Sequence, residues 1–409
     1  MSEPSKEREI GSEFEIYSEN GDTDLLSEIE DKAKHQGKYT HYIRCGRDAL
    51  GYIADDIIER YGNKRGNRKE DITVFMPALS CDSMVRPFTV RGLDLKYYRL
   101  EEDLNIDTGH LTGIMDTASI PVVLMMDHFG LTDMDASARS IKEHRKDAVL
   151  IVDVTQTVFD EDKYLSKESE ADYVCGSIRK WLGVPDGAVV ISDRILKGHI
   201  SEGESDFCSF RLEALNDKKR YIDDSMRDKA LKTIFRRKLS DAEESLDDGK
   251  NPLKISGLSA GMLSHIDERK IISIRRQNFK TLVGLFKDAF GYETYYRFIN
   301  DTGRIPECPF MLPVVIDIDR IRNDSANAAG RSITRDRFEQ KLASCGVYAP
   351  VLWPIDAKAA EVCGNSKYFA DNMLAFYIDQ RYDEEDMRYT VEVFEDKLRE
   401  ILGTAEDNI

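Results

Sequence analysis

The stretch richest in chemistry runs Asp172-Tyr-Val-Cys-Gly-Ser177-Ile-Arg179-Lys180-Trp181-Leu-Gly183-Val-Pro185-Asp186-Gly187-Ala-Val-Val190. It reads as a strand, a polar turn bearing one lysine, and a Pro-Asp-Gly turn into another strand. Lys180 thus stands just past the carboxyl end of an apolar run, where open parallel sheets place their ligands. A lysine stripped of its proton by burial there is an amine nucleophile for an aldehyde. A lysine in an ordinary surface loop has no such role, so its neighbours must decide. Upstream, the apolar run Ala148 to Val152 ends in Asp153. That carboxylate can pair with a protonated heterocyclic nitrogen at the same crevice, or cap the next helix. Gln156 can cap as well, or donate to a ring oxygen. Cys45-Gly46-Arg47-Asp48-Ala49 is a glycine-containing turn opening a helix, and its free backbone N–H groups suit a phosphate.

These residues need a frame. From about residue 40 to 200, short apolar runs alternate with helical patterns, the signature of a mostly parallel α/β sheet. The expected strands are Thr73 to Met76, Leu95 to Tyr98, Pro121 to Met126, Val149 to Asp153, Asp172 to Cys175 and Ala188 to Ser192. Their near-continuous hydrophobicity predicts burial on both faces. Helices are predicted over Arg47 to Tyr61, Asp82 to Val90 and Asp135 to Lys146, with Gly62-Asn63 and Gly66-Asn67 breaking the first. The charged segment from Leu212 to Leu246 reads as an exposed helical hairpin. A helix over Ile266 to Phe290 leads to strands at Leu312 to Ile318 and Ala375 to Ile378, with helices at Thr334 to Cys345 and Glu384 to Ile401. This predicts a smaller α+β domain over 251–409, beginning near Asn251-Pro252. A large domain then spans 40–250, and an N-terminal segment, 1–39, packs with the small domain.

Bulk properties exclude several functions. The formal charge of -18 repels nucleic acid and anionic membranes. The cluster Arg236-Arg237-Lys238 is followed by Asp241, Glu243 and Glu244 and reads as a solvated helical face. Seven cysteines are scattered singly, without a CxxC pair, against a disulfide framework or zinc site and in keeping with a reducing cytosol. No signal peptide or membrane-length apolar run occurs, so a cytoplasmic protein is expected. Neither common nucleotide-binding glycine motif is present.

From Ile10-Gly11-Ser12-Glu13-Phe14 to Leu402 the chain resembles the DegT-type sugar aminotransferases of the fold-type I enzymes that use pyridoxal phosphate. Gly176-Ser-Ile-Arg-Lys-Trp with Pro185-Asp-Gly, Asp153-Val-Thr-Gln156 and Pro77-Ala-Leu-Ser-Cys81 carry the likeness. Val351-Leu-Trp353-Pro-Ile355 and Ile378-Asp-Gln-Arg381-Tyr382 mark a subgroup. The resemblance implies that Lys180 holds the cofactor as a Schiff base and shuttles the proton. Asp153 holds the pyridine nitrogen, Gln156 lies near the phenolic oxygen, and Ser177 reaches the phosphate. The backbone at Gly46, Arg47 and Asp48 cradles that phosphate. Cys81 aligns with the aromatic plate over the ring, and His128 with a histidine beside the cofactor, although a core or capping histidine fits the sequence equally well. Trp181, Trp353 and Arg381 are candidate substrate contacts; packing explains the tryptophans, and an ion pair with Asp383 or Glu384 explains the arginine. The family departs here at Arg47, where a hydroxyl residue is usual, and at Cys81, which cannot stack. Amino-acid donor, keto-sugar acceptor and homodimer follow from the resemblance alone. Two other readings remain: a lyase or desulfurase reaction using Cys81 or Cys345, and a non-catalytic binding module.

Overall fold

Seven strands form the main sheet: β1 (Tyr39–Ile43), β2 (Ile72–Pro77), β3 (Asp94–Tyr98), β4 (Ile120–Met126), β5 (Val149–Asp153), β6 (Tyr173–Gly176) and β7 (Ala188–Ser192). The computed structural model describes residues 8–62, 68–165, 169–203, 205–224, 227–299 and 305–403. Asn63, Gly66 and Asn67, read as helix breakers, lie outside them. The strand order is β1-β7-β6-β5-β4-β2-β3. Strands β3, β2, β4, β5 and β6 pair in parallel, while β7 runs antiparallel to both β6 and β1. Strands β2, β5, β6 and β7 are buried throughout, as their unbroken apolar runs require. Alternate residues feed separate cores: Val123 and Met125 of β4 enter one, Val122 and Leu124 the other. This mostly parallel mixed sheet between helices is the expected α/β architecture.

Two strands escaped the sequence reading. β1, Tyr-Thr-His-Tyr-Ile, is half-exposed at the sheet edge and lacks a continuous apolar run. The short β8 (Tyr296–Phe298) joins β9 (Met311–Ile316) and β10 (Met373–Tyr377) in an antiparallel three-stranded sheet of order β10-β9-β8. Helices Glu268–Asp288 and Glu384–Leu402 cover it, the second opened by Asp383 in a capping box. The charged stretch forms two contacting helices, Asp206–Asp223 and Lys229–Glu244. It is less exposed than expected, because Phe207, Arg211, Lys218 and Phe235 are buried. Among the described residues, no helix is long and apolar enough to cross a membrane, and no cluster of metal-ligating side chains occurs.

An N-terminal strap crosses these parts. Ile10 bridges to Val347, Ile16 N–H donates to Leu215 O (3.1 Å), Tyr17 N–H to Gly183 O (2.8 Å) and Gly21 N–H to His265 O (2.9 Å). Contact at Gly183 leaves no room for a side chain, since a Cβ there would lie 1.7 Å from Glu15 O. Gly183→Ala should therefore destabilise the chain by about 1–3 kcal/mol, the usual range for overpacking. The midpoint of denaturant unfolding measures it, and an unchanged midpoint would refute the close approach.

Candidate active site

One pocket gathers residues from the ends of several strands. Asp153 closes β5, Cys175 and Gly176 close β6, and Ser177, Arg179 and Lys180 follow in the turn. Gly46 and Arg47 begin the Gly46–Ile57 helix on its other side, and Cys81, Met126, Glu243 and Trp353 complete the wall. The parallel strands deliver these groups to one crevice, as open α/β sheets do.

Thr155 organises the centre, a role the sequence did not signal. Its N–H donates to Asp153 Oδ1 (2.8 Å), its Oγ1 accepts from Ser177 N–H (3.1 Å), and its carbonyl accepts from Trp181 Nε1 (2.8 Å). Asp153 therefore makes a local turn rather than capping a helix. Burial pushes its carboxyl above the ordinary range, while Thr155 and the nearby Lys180 ammonium pull it down. Among the described residues, no hydrogen bond occupies Lys180 Nζ.

The Cys45-Gly46-Arg47 turn lines the same pocket as the Lys180 turn. Cys45 makes no side-chain cap, so the first N–H groups of the helix are not capped by it. A Cβ on Gly46 would sit 3.5 Å from Ser177 Cβ, so the two segments meet. Ser177 Oγ and Arg179 Nε are both buried without a partner. The Asp48 side chain is committed elsewhere: Arg44 grips it at 2.7 and 3.0 Å, and Leu253 N–H donates to it at 3.1 Å. Only its backbone is available. Glu243 accepts from Arg179 (2.8 Å) and Arg47 (3.4 Å), with Arg211 3.9 Å away. Neither Glu243 nor Arg179 was assigned a site role from the sequence: Glu243 sits inside a long charged helix, and Arg179 stands beside Lys180 in the same short turn.

Other candidates fall in different places. Gln156 Oε1 accepts from Phe129 N–H at 2.6 Å, which leaves its amide N–H groups to donate elsewhere. His128 is buried with Nε2 3.1 Å from Leu79 O, so Nε2 carries the hydrogen, and burial lowers its pKa, favouring the neutral ring. Neither side chain lines the pocket. Cys81 does, with Sγ 2.9 Å from Ser83 Oγ. Trp353 is the pocket's aromatic lining residue among those described, its ring centroid 6.3 Å from that of His128.

Two substrate candidates need correction. Trp181 is fully buried against Phe159 and Phe310, with Arg275 over its ring at 4.5 Å, and it does not line the pocket. Arg381 pairs with Asp379 through two 2.8 Å bonds and donates to Glu13 O and Ser12 O. Its partner is neither Asp383 nor Glu384, and its donors are spent holding the N-terminal strap.

Lys218, which donates to Glu13 O in the same cluster, has its pKa lowered to about 7 by burial and by Arg381. The unfolded chain thus binds more protons than the folded one between about pH 7 and 10.5, so this group makes stability rise with pH across that window. Lys218→Met should flatten that rise in a pH series of unfolding midpoints. An unaltered slope would exclude the buried ammonium as its source.

No protein-family model matches the chain, and no curated protein does. Solved structures do. DesI, determined with its TDP-sugar product, superposes with a TM-score of 0.60 at 14% identity, covering 96% of this chain and 87% of its own. A DegT DnrJ EryC1 StrS aminotransferase from Brucella abortus gives 0.58 at 13%, covering 95% and 92%. The putative sugar aminotransferase Spr1654 from Streptococcus pneumoniae, in its PMP form, gives 0.58 at 11%, covering 96% and 93%. This chain has the fold that these three structures share. The overlap takes in 95–96% of this chain.

Proposed function

We propose that the protein is a pyridoxal-phosphate-dependent aminotransferase that moves an amino group from an amino acid to a keto-sugar, with Lys180 as its cofactor-bonding lysine. The observation that carries this is the meeting, in one pocket, of Lys180, the buried carboxylate of Asp153 and a helix start flanked by unpartnered Ser177 Oγ and Arg179 Nε. An amine, an anion and a set of unused donors are complementary to an aldehyde, a pyridinium and a phosphate. When bound, the cofactor supplies an electrophilic carbonyl and a ring that accepts an electron pair.

The chain's own residues do the rest. Asp153 holds a proton on the ring nitrogen. Backbone N–H groups of Gly46, Arg47 and Asp48, with Ser177 Oγ, bind the phosphate, and Arg47 and Arg179 add positive charge beside it. Gln156, outside the pocket lining, fixes the Phe129 backbone through its Oε1. Trp353 contributes the aromatic surface that Cys81 cannot, and His128 packs behind it. Lys180 Nζ moves a proton to and from the substrate carbon. The sugar acceptor, a nucleotide-linked one, is supported by DesI with its TDP-sugar product; a cytoplasmic homodimer completes the reading. Cys345 lies outside this pocket, so a desulfurase reading rests on Cys81 alone.

The test is direct. Protein purified with pyridoxal phosphate should show a visible absorption band that amino donors shift, and borohydride reduction with peptide mass mapping should put the pyridoxyl group on Lys180. A band that survives in Lys180→Ala, or an adduct on another lysine, would overturn the assignment.

A further inference from the structure

A second cleft, of about 810 Å³, opens between the N-terminal strap, the helical hairpin and the end of the Arg335–Ser344 helix. It shares no lining residue with the Lys180 pocket. Its walls carry five cations, Arg8, Arg227, Lys229, Lys232 and Arg236, and one carboxylate, Glu9, while Arg8 is also met from outside the lining by Glu385 at 2.8 Å and Asp386 at 3.9 Å. This surplus sits in a chain whose net charge is -18.

Glu9 is already used: it pairs with Lys232, lies 3.6 Å from Arg227 and accepts from Tyr221 OH at 2.8 Å. Nearby cations outside the cleft have carboxylate partners, Lys238 with Asp217 at 2.8 Å and Lys219 with Asp223 at 3.6 Å. Lys229 and Arg236, by contrast, have none among the described residues. Arg227 Nε is buried without an acceptor. Tyr348 and Tyr389 supply flat surface, with Lys232 Nζ 5.4 Å over the first ring and Arg8 Cζ 5.7 Å over the second. Arg236 is exposed, as the sequence reading of a solvated face expects, and also lines this cleft.

We propose that this cleft is a second ligand site, for a small molecule carrying at least two phosphate charges. Lys229 and Arg236, without carboxylate partners among the described residues, and the unmet Arg227 Nε give the cleft spare positive charge and donors complementary to a polyanion. The volume lies within the range of about 300–1,000 Å³ typical of small-molecule sites. Three converging segments give it walls rather than a flat patch. Arg236 and Glu243 share one helix, separated by about 10 Å at 1.5 Å per residue, so the two sites are neighbours with separate linings.

Equilibrium dialysis of the cofactor-loaded full chain, with excess pyridoxal phosphate present, tests this using pyrophosphate and ADP as probes. Saturable uptake is expected, weakened at least about tenfold by Lys229→Glu combined with Arg236→Glu, and by raising ionic strength from about 0.01 to about 0.1 M. Tighter ADP uptake would identify a nucleoside phosphate, equal uptake a polyphosphate group alone. Lys180→Arg should leave uptake unchanged, which separates this site from the first. Absence of uptake at millimolar probe, or uptake indifferent to the double substitution, overturns the proposal. So does a charge-dependent self-association, seen by sedimentation, that these substitutions abolish without any phosphate uptake.

Discussion

Replacing Lys180 with arginine is expected to slow amino transfer by at least about 10²–10⁴-fold, the range lost when a positioned acid–base group is removed. Arginine keeps the positive charge near Asp153, so the electrostatic balance of the pocket is retained. It cannot deprotonate at neutral pH, so both covalent attachment and proton shuttling disappear together. Pyridoxal phosphate should still bind, because Ser177, Arg179 and the Gly46–Ile57 helix start are untouched. Single-turnover rates with an amino donor and fluorescence titration of the cofactor measure the two effects separately. A variant retaining a tenth or more of the rate would remove Lys180 from the chemistry.

Asp379→Ala is expected to produce the largest loss of stability, about 3–5 kcal/mol, because it strips the buried Arg381 guanidinium of its hydrogen-bonded carboxylate and leaves it only Glu15, 3.7 Å away. Asp379 is 2% exposed and accepts both 2.8 Å bonds. Burial raises the cost of the unpaired charge, and Lys218, already destabilised by Arg381, adds to it. Replacing both partners with apolar residues should restore part of the loss, since a well-packed apolar pair often matches a buried ion pair. Denaturant titration of the single and double variants gives the coupling. If Arg381 instead contacted substrate, Asp379→Ala would shift KM and leave the unfolding midpoint in place.

Strand positions and the Lys180 turn were legible because burial on both faces writes itself as unbroken apolar runs, and a lone polar turn between two of them stands out. β1 was hidden by its half-exposed edge position, and β8 by its brevity. Thr155 left no mark, since its role depends on three hydrogen bonds that only the folded turn creates. Arg381 and Trp181 misled for a related reason. A cation or a large aromatic near a site can serve the scaffold or the substrate, and only its partners decide which. Glu243 shows the limit most plainly: a residue in a long charged helix reaches the pocket through tertiary packing that no periodicity announces.

The strap has a consequence in time. Ile10 finds Val347 only after more than about 300 further residues have been made, which at roughly 5–20 residues per second means a delay of some tens of seconds. Its contacts at Gly183 and His265 gain their partners sooner, once those residues have emerged. Such pairings of distant residues close slowly because loop entropy must be overcome first. The start of the chain is thus secured in stages, first over the site turn at Gly183 and last at Val347.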